Sequence, residues 1–194
     1  AGGFTFTDPL TQLGTPITDY ELQLQNSGTE LWLVFTGTTS TPYEAWAATF
    51  LPDEVSDPAA NFDSDAFTNF MEFACGTDPT VGDANRLTWT DPTFTAGGPD
   101  IFSDFEITGG VNFKARFIRR TDHGQSGSAS YVWRFSSDLA DWEDSDGAPA
   151  PPWLQAPAVL ATQGDYQLVE VNYPFFLSTF KKARFFQVEV TAVP

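Results

Sequence analysis

The chain has 194 residues, 41% of them hydrophobic and 15% aromatic, enough to bury a core and to exclude a disordered polymer. Its 26 acidic against 9 basic residues give a formal charge of −17, which argues against nucleic acid or an anionic membrane as partner and favours divalent cations or a saline medium. A single cysteine, Cys75, rules out an internal disulfide and a Cys-based zinc cluster, and no apolar run approaches the roughly 18 residues of a spanning helix.

Residue 1 is alanine, which reads as processing or as a boundary within a longer protein. Residues 1–40 read as an N-terminal strand segment. "GFTFT" alternates, "YELQLQ" sets Tyr20, Leu22 and Leu24 on one face, and "ELWLVF" sets Leu31, Leu33 and Phe35 against Trp32 and Val34. Gly14, Pro16 and "NSG" at 26–28 supply the turns. So few strands need a second layer, either the later sheet or a larger β-domain.

The period changes over residues 41–80. Thr41, Pro42 and Glu44 form a capping box with proline at the first helical position, and Tyr43, Trp46, Ala47 and Phe50 recur at helical spacing. After "LPDEVSDPAA", a second short helix is expected from about Ala66 to Ala74, with Phe67, Phe70, Met71 and Ala74 as its apolar stripe. Gly76 sits at its C-terminal cap and Pro79 stops it.

Over residues 81–194 the alternation returns in "RLTWT", "FEITG", "NFKARFIRR", "SYVWRFSS", "YQLVEVNY" and "ARFFQVEV", separated by Gly-, Ser-, Asp- and Pro-rich stretches. Short strands at this spacing predict a mainly β chain: an antiparallel β-sandwich with an N-terminal strand set and a short two-helix insert.

The insert carries the most chemically specific stretch, "NFDSDAFTNFMEF". Calcium takes six to eight hard oxygens at roughly 2.3–2.6 Å, supplied in loops by positions 1, 3, 5, 7, 9 and 12. Counting from Asn61 places Asp63, Asp65, the carbonyl of Phe67, Asn69 and Glu72 at the remaining positions. Position 6 usually needs glycine for a left-handed bend, and here it is Ala66, a strain of about 1–2 kcal/mol. Asn61 also removes one charge. Together these predict an affinity of about 10⁻⁴–10⁻³ M, as in extracellular modules, or a site without metal. The alternative is purely structural: Asp65 caps the helix, Asp63 complements its dipole, and Asn69 and Glu72 face solvent.

The segment "YEAWAATF…DPAANFDSDAFTNFMEFACGTDP" resembles one found near the ends of large secreted or autotransporter-type bacterial surface proteins. Its loop is similar to those of thrombospondin type 3 and dockerin modules. Downstream, "FKARFIRRTDH…SYVWRFSSDLADWED…ARFFQVEVT" resembles the terminal β-sandwich of such proteins, and "GTELWLVFTG" their final passenger strand. The likeness runs from about Gly28 to Val193; this chain departs from it at Asn61, Ala66 and Cys75, where the pattern has Asp, Gly and usually Leu. It implies secretion, surface display and a structural calcium ion held by Asn61, Asp63, Asp65, Phe67, Asn69 and Glu72, and it brings no catalytic chemistry.

No reaction centre stands out. His123 with Ser126 or Ser128 is a conceivable nucleophile pair, but "TDHGQSGS" reads as a polar loop, and Cys75 as a small buried hydrophobe. Trp133 and Trp46 read as core, whereas Trp142 and Trp153 lie in loop-rich sequence suited to a sugar-binding face. The expected function is therefore a non-enzymatic, secreted, cell-surface or fibre-forming structural protein, stabilised by calcium and assembling into homo-oligomers or filaments through strand edges such as "GFTFT" and "FFQVEV". The alternative is a carbohydrate-binding accessory module of a secreted enzyme, with a surface glycan as ligand.

Overall fold

Alternating side chains along the N-terminal segment produce two small antiparallel ladders in the computed structural model. It describes residues 11–12, 15–16, 20–25, 30–35, 40–50, 53–82, 85–105, 111–148, 150, 154–173 and 183–194. The chain divides into two compact units, 1–40 and 41–194. In the first, β1 (Thr11–Gln12) pairs with β2 (Thr15–Pro16), and β3 (Tyr20–Gln25) with β4 (Glu30–Phe35). The last two coincide with "YELQLQ" and "ELWLVF". Trp32 is 55% exposed, and its indole N–H donates to Glu30 Oε2 at 3.0 Å. The "GFTFT" strand and the turn residues Gly14 and 26–28 lie outside the described residues.

The second unit begins with helix α1 (Pro42–Ala47). Thr41 Oγ1 accepts from Glu44 N–H and the Glu44 carboxylate accepts from Thr41 N–H, the expected reciprocal cap. The helix ends at Ala48, earlier than the apolar stripe through Phe50 predicts. A 3-10 turn, Asp53–Ser56, and helix α2 (Asn69–Cys75) follow. α2 starts three residues later than expected because Thr68, not an aspartate, is its cap. Gly76 ends it in the left-handed region (φ 80°), where a Cβ would also sit 3.2 Å from the Tyr166 ring.

Among the described residues nine strands follow: β5 (Thr88–Thr90), β6 (Thr93–Thr95), β7 (Asp100–Phe105), β8 (Val111–Arg120), β9 (Ala129–Ser136), β10 (Trp142–Asp144), β11 (Ala158–Gln163), β12 (Tyr166–Tyr173) and β13 (Phe185–Ala192). They form a four-stranded sheet in the order β11-β12-β8-β7, a three-stranded sheet β10-β9-β13, and the hairpin β5-β6. Every named pair is antiparallel, so the chain is mainly β with antiparallel sheets, as its alternation predicts.

Alternation also sorts the faces. Ala115 and Phe117 of β8 and Val169, Val171 and Tyr173 of β12 share one apolar cluster with Phe135 of β9 and Phe186 and Val188 of β13. The two larger sheets thus meet through a common core. Phe117 lies 6.0–6.2 Å from the rings of Tyr131, Trp133 and Phe186. On the other face of β8 and β12, Ile118 and Leu168 pack with Leu87, Trp89 and Phe94 of the β5–β6 region. There Arg116 is held between the rings of Trp89 and Phe102, 4.4 and 4.2 Å from their centroids, and pairs with Glu170 at 2.9 Å. A third cluster gathers Tyr43, Ala47, Val55, Phe73 and Ala74 onto Ala129, with Trp46 at its edge, so both helices pack at the start of β9.

The "SSDL" turn between β9 and β10 is built by side chains. Ser136 Oγ accepts from the N–H groups of Asp138 and Leu139, and Asp138 Oδ1 from those of Ala140 and Asp141. This double hold places Leu139 at φ 70°, with 57% of its surface exposed.

Candidate metal centre

Segment 57–77 wraps its backbone around the start of α2. Asp57 Oδ1 accepts from Ala59 N–H, while Asn69 N–H donates to Ala60 O (2.8 Å) and Phe70 N–H to Pro58 O (3.0 Å). Two of the helix's open donors are thereby met by the loop, and a third, Met71 N–H, by Thr68 Oγ1. Asn69, fully buried, braces the loop further: its amide donates to Asp57 O at 2.9 Å, and its Oδ1 accepts from Phe62 N–H at 3.4 Å.

Inside this wrap, Asp63 Oδ1 accepts from Asp65 N–H (3.1 Å) and Asp65 Oδ1 from Phe67 N–H (2.6 Å). These two turns aim both carboxylates inward. The left-handed residue is Ser64 (φ 65°), not Ala66. The strain expected at Ala66 does not arise, because the Asp63 turn bends the chain two residues earlier. Asn61 lies at the exposed rim with its amide donating to Asp65 O at 2.8 Å.

Asp63, Asp65 and Glu72 converge: each offers a carboxylate oxygen, and the three lie within 4.8 Å of one another. Glu72 is fully buried, with Thr77 Oγ1 3.4 Å from its Oε1. Asp63 Oδ2 is sealed from solvent and has no hydrogen-bond partner among the described residues. Of the six residues singled out from sequence, these three form the cluster; Asn61 and Asn69 tie the loop together beside it, and Phe67 contributes the backbone N–H that orients Asp65. The capping alternative fails on two points, since Thr68 is the cap and Asn69 and Glu72 are buried, not solvated.

The negative field is felt nearby. Burial, reinforced by Glu72, pushes the Cys75 thiol up to about 12. The Tyr43 hydroxyl is likewise pushed up to about 12 by burial, then by Asp57 and Glu72. Both groups stay protonated at neutral pH, and Cys75 is sealed in the structure as an inert apolar residue.

At its other end, α2 is fastened to the sheets by residues whose role sequence reasoning missed. Tyr131 of β9 donates to Ala74 O (2.8 Å) and accepts from Arg120 N–H (3.0 Å), and Tyr166 of β12 donates to Phe73 O (3.1 Å). The Arg120 guanidinium sits 4.2 Å over the Phe73 ring and forks onto Asp122 at 2.8 and 2.9 Å. A cation here complements the helix C-terminus. The only sequence signals were the paired arginines and the tyrosine of the resemblance.

Elsewhere, Ser128 is buried and its hydroxyl donates to Asp122 at 2.6 Å, while His123 Nδ1 lies 2.9 Å from Arg120 O. Ser128 is thus engaged by the Arg120–Asp122 anchor. Trp142 is half-buried in β10, and Trp153 lies outside the described residues. No protein-family model, curated protein or solved structure matches the chain.

Proposed function

We propose that this chain is a non-enzymatic structural module of an extracellular or cell-surface protein, stabilised by a calcium ion at Asp63, Asp65 and Glu72 and self-associating through strand edges. One observation carries the calcium reading: a fully buried glutamate converges with two aspartates within 4.8 Å. Three like charges in a poorly hydrated space repel strongly, and a divalent cation reverses the sign of that interaction. The sealed Asp63 Oδ2 is the kind of oxygen such an ion would satisfy.

The donor chemistry favours calcium over softer metals, since every converging atom is a carboxylate oxygen. An ion held there would join the loop to α2, and α2 is joined to β8, β9 and β12 by Arg120, Tyr131 and Tyr166. The role is therefore mechanical. The missing acid at Asn61 points to the weaker affinity of extracellular modules, whose sites fill at millimolar calcium, and supports the extracellular assignment. The non-enzymatic reading is supported by the protonated, buried Cys75 and by Ser128 being engaged with Asp122.

The test is thermal unfolding in calcium, in magnesium and in chelator. Calcium should raise Tm by the linkage expected of a native-state ligand, about 2.7 kcal/mol at a hundredfold excess over Kd. Asp63→Asn and Glu72→Gln should each remove the calcium response. Identical melting in calcium and chelator would overturn the reading.

A further inference from the structure

Among the described residues, three of the four edge strands of the two large sheets are blunted. β10 has only three residues, β11 is broken by a register shift between Val159 and Ala161, and β7 carries Asp100 and Asp104. β13 is different. It runs unbroken for eight residues against β9, and among the described residues no strand pairs with its other side. Its only charged residue, Glu189, is tied to Arg134 on the outer face.

The direction of its backbone groups follows from the register. Val193 N–H donates to Ser128 O in continuation of the β9–β13 ladder, and antiparallel pairing alternates along a strand. Residues 185, 187, 189 and 191 therefore turn their N–H and C=O groups toward β9. Phe186, Val188, Val190 and Ala192 turn theirs outward. The same even-numbered residues carry the inner face: Phe186 and Val188 pack into the inter-sheet core and Val190 beneath the helices.

We infer that β13 is a homophilic edge, pairing antiparallel with β13 of a second copy in a register centred on Val188. This deepens the self-association reading above, on which it rests, and is independent of the cation site. Complete overlap of Phe185–Ala192 with itself would set inner-face residues against outer-face ones, which a continuous sheet forbids. The two nearest permitted registers are centred on Val188 or on Glu189. The second places Glu189 against itself. The first places Val188 opposite Val188, Phe186 opposite Val190 and Gln187 opposite Glu189, with no like charges facing. It joins the two three-stranded sheets into one of six and makes their inner apolar faces continuous.

Sedimentation of the intact protein over a concentration series, in roughly 0.5 M NaCl to screen the acidic surface, tests this. The parent chain should form a dimer. Gln187→Glu sets two carboxylates opposite one another twice per dimer and should weaken association by roughly tenfold; Gln187→Lys should strengthen it. Gln187 is exposed and opposite Arg134 within its own chain, so the glutamate variant should melt no lower than the parent. A parent that is monomeric at every concentration overturns both this inference and the self-association reading. A dimer indifferent to both substitutions overturns the β13 assignment and leaves self-association standing.

Discussion

The hydroxyl of Tyr131, on β9, donates to the carbonyl of Ala74 at the end of α2 and accepts from the backbone N–H of Arg120 on β8. One side-chain oxygen thus joins a helix terminus to both large sheets. Burial raises the pKa of this hydroxyl well above its ordinary value, so it keeps the proton it donates. Tyr131→Phe leaves a buried carbonyl and a buried N–H without their partner. Its expected cost is about 2 kcal/mol in denaturant unfolding. Hydrogen exchange should also speed up across α2 more than across β12; a uniform change would argue against a local anchor.

Glu72→Gln has opposite effects in the two metal states. In chelator it relieves repulsion between Glu72 and the two aspartates, and stability should rise by roughly 1–2 kcal/mol. In saturating calcium it removes a ligand, and stability should fall relative to the parent. Crossing of the two denaturation series is the expected result. A variant less stable than the parent in both states would mean that the carboxylate serves packing alone.

Two substitutions separate the observed loop from the one its glycine pattern predicts. Ser64 holds φ 65°, so Ser64→Gly should stabilise by up to about 1 kcal/mol. Ala66 lies outside the left-handed region, so Ala66→Gly should destabilise by roughly 0.5–1 kcal/mol through the unfolded chain's entropy. A loop bent at position 6 would invert both signs, and chemical denaturation of the pair decides between them.

Cys75 should resist alkylation in the native protein at pH 8 and react after unfolding. Its folded pKa is raised from 9.0 to about 12 by burial and Glu72. Between those values the unfolded thiol ionises while the native one does not, so its contribution to stability is fully present below about pH 9 and is lost as pH rises toward 12. Cys75→Ala should flatten that alkaline decline. Native-state alkylation as fast as that of a free thiol would contradict the burial.

At the acid end, Asp122 behaves in the opposite sense. Its hydrogen bonds from Arg120 outweigh partial burial and hold its pKa below the usual carboxylate value of 3.8. The stability it contributes is present above that value and is lost as pH falls through the folded pKa. Asp122→Asn should therefore lower stability at neutral pH and reduce the loss on acidification. Acid titration of unfolding measures both.

Local patterns in the sequence determined the strands β3, β4, β8, β9, β12 and β13, the Thr41 cap and the Gly76 stop, because alternation, capping and chirality act within a few residues. They also singled out Asp63, Asp65 and Glu72. The three-residue strands β6 and β10 carried too few residues for a period to register, and the burial along β11 does not alternate. What only the tertiary structure decided lies at long range. The left-handed bend falls at Ser64 because side-chain turns from Asp63 and Asp65 compete with any glycine rule. Asn69 becomes a brace and Glu72 a buried charge because segment 57–77 closes over the helix start. Arg120, Tyr131 and Tyr166 become the anchor of α2 because β8, β9 and β12 bring them together at the end of a helix distant in sequence. Burial is a property of assembled surfaces, and no spacing along a chain encodes it.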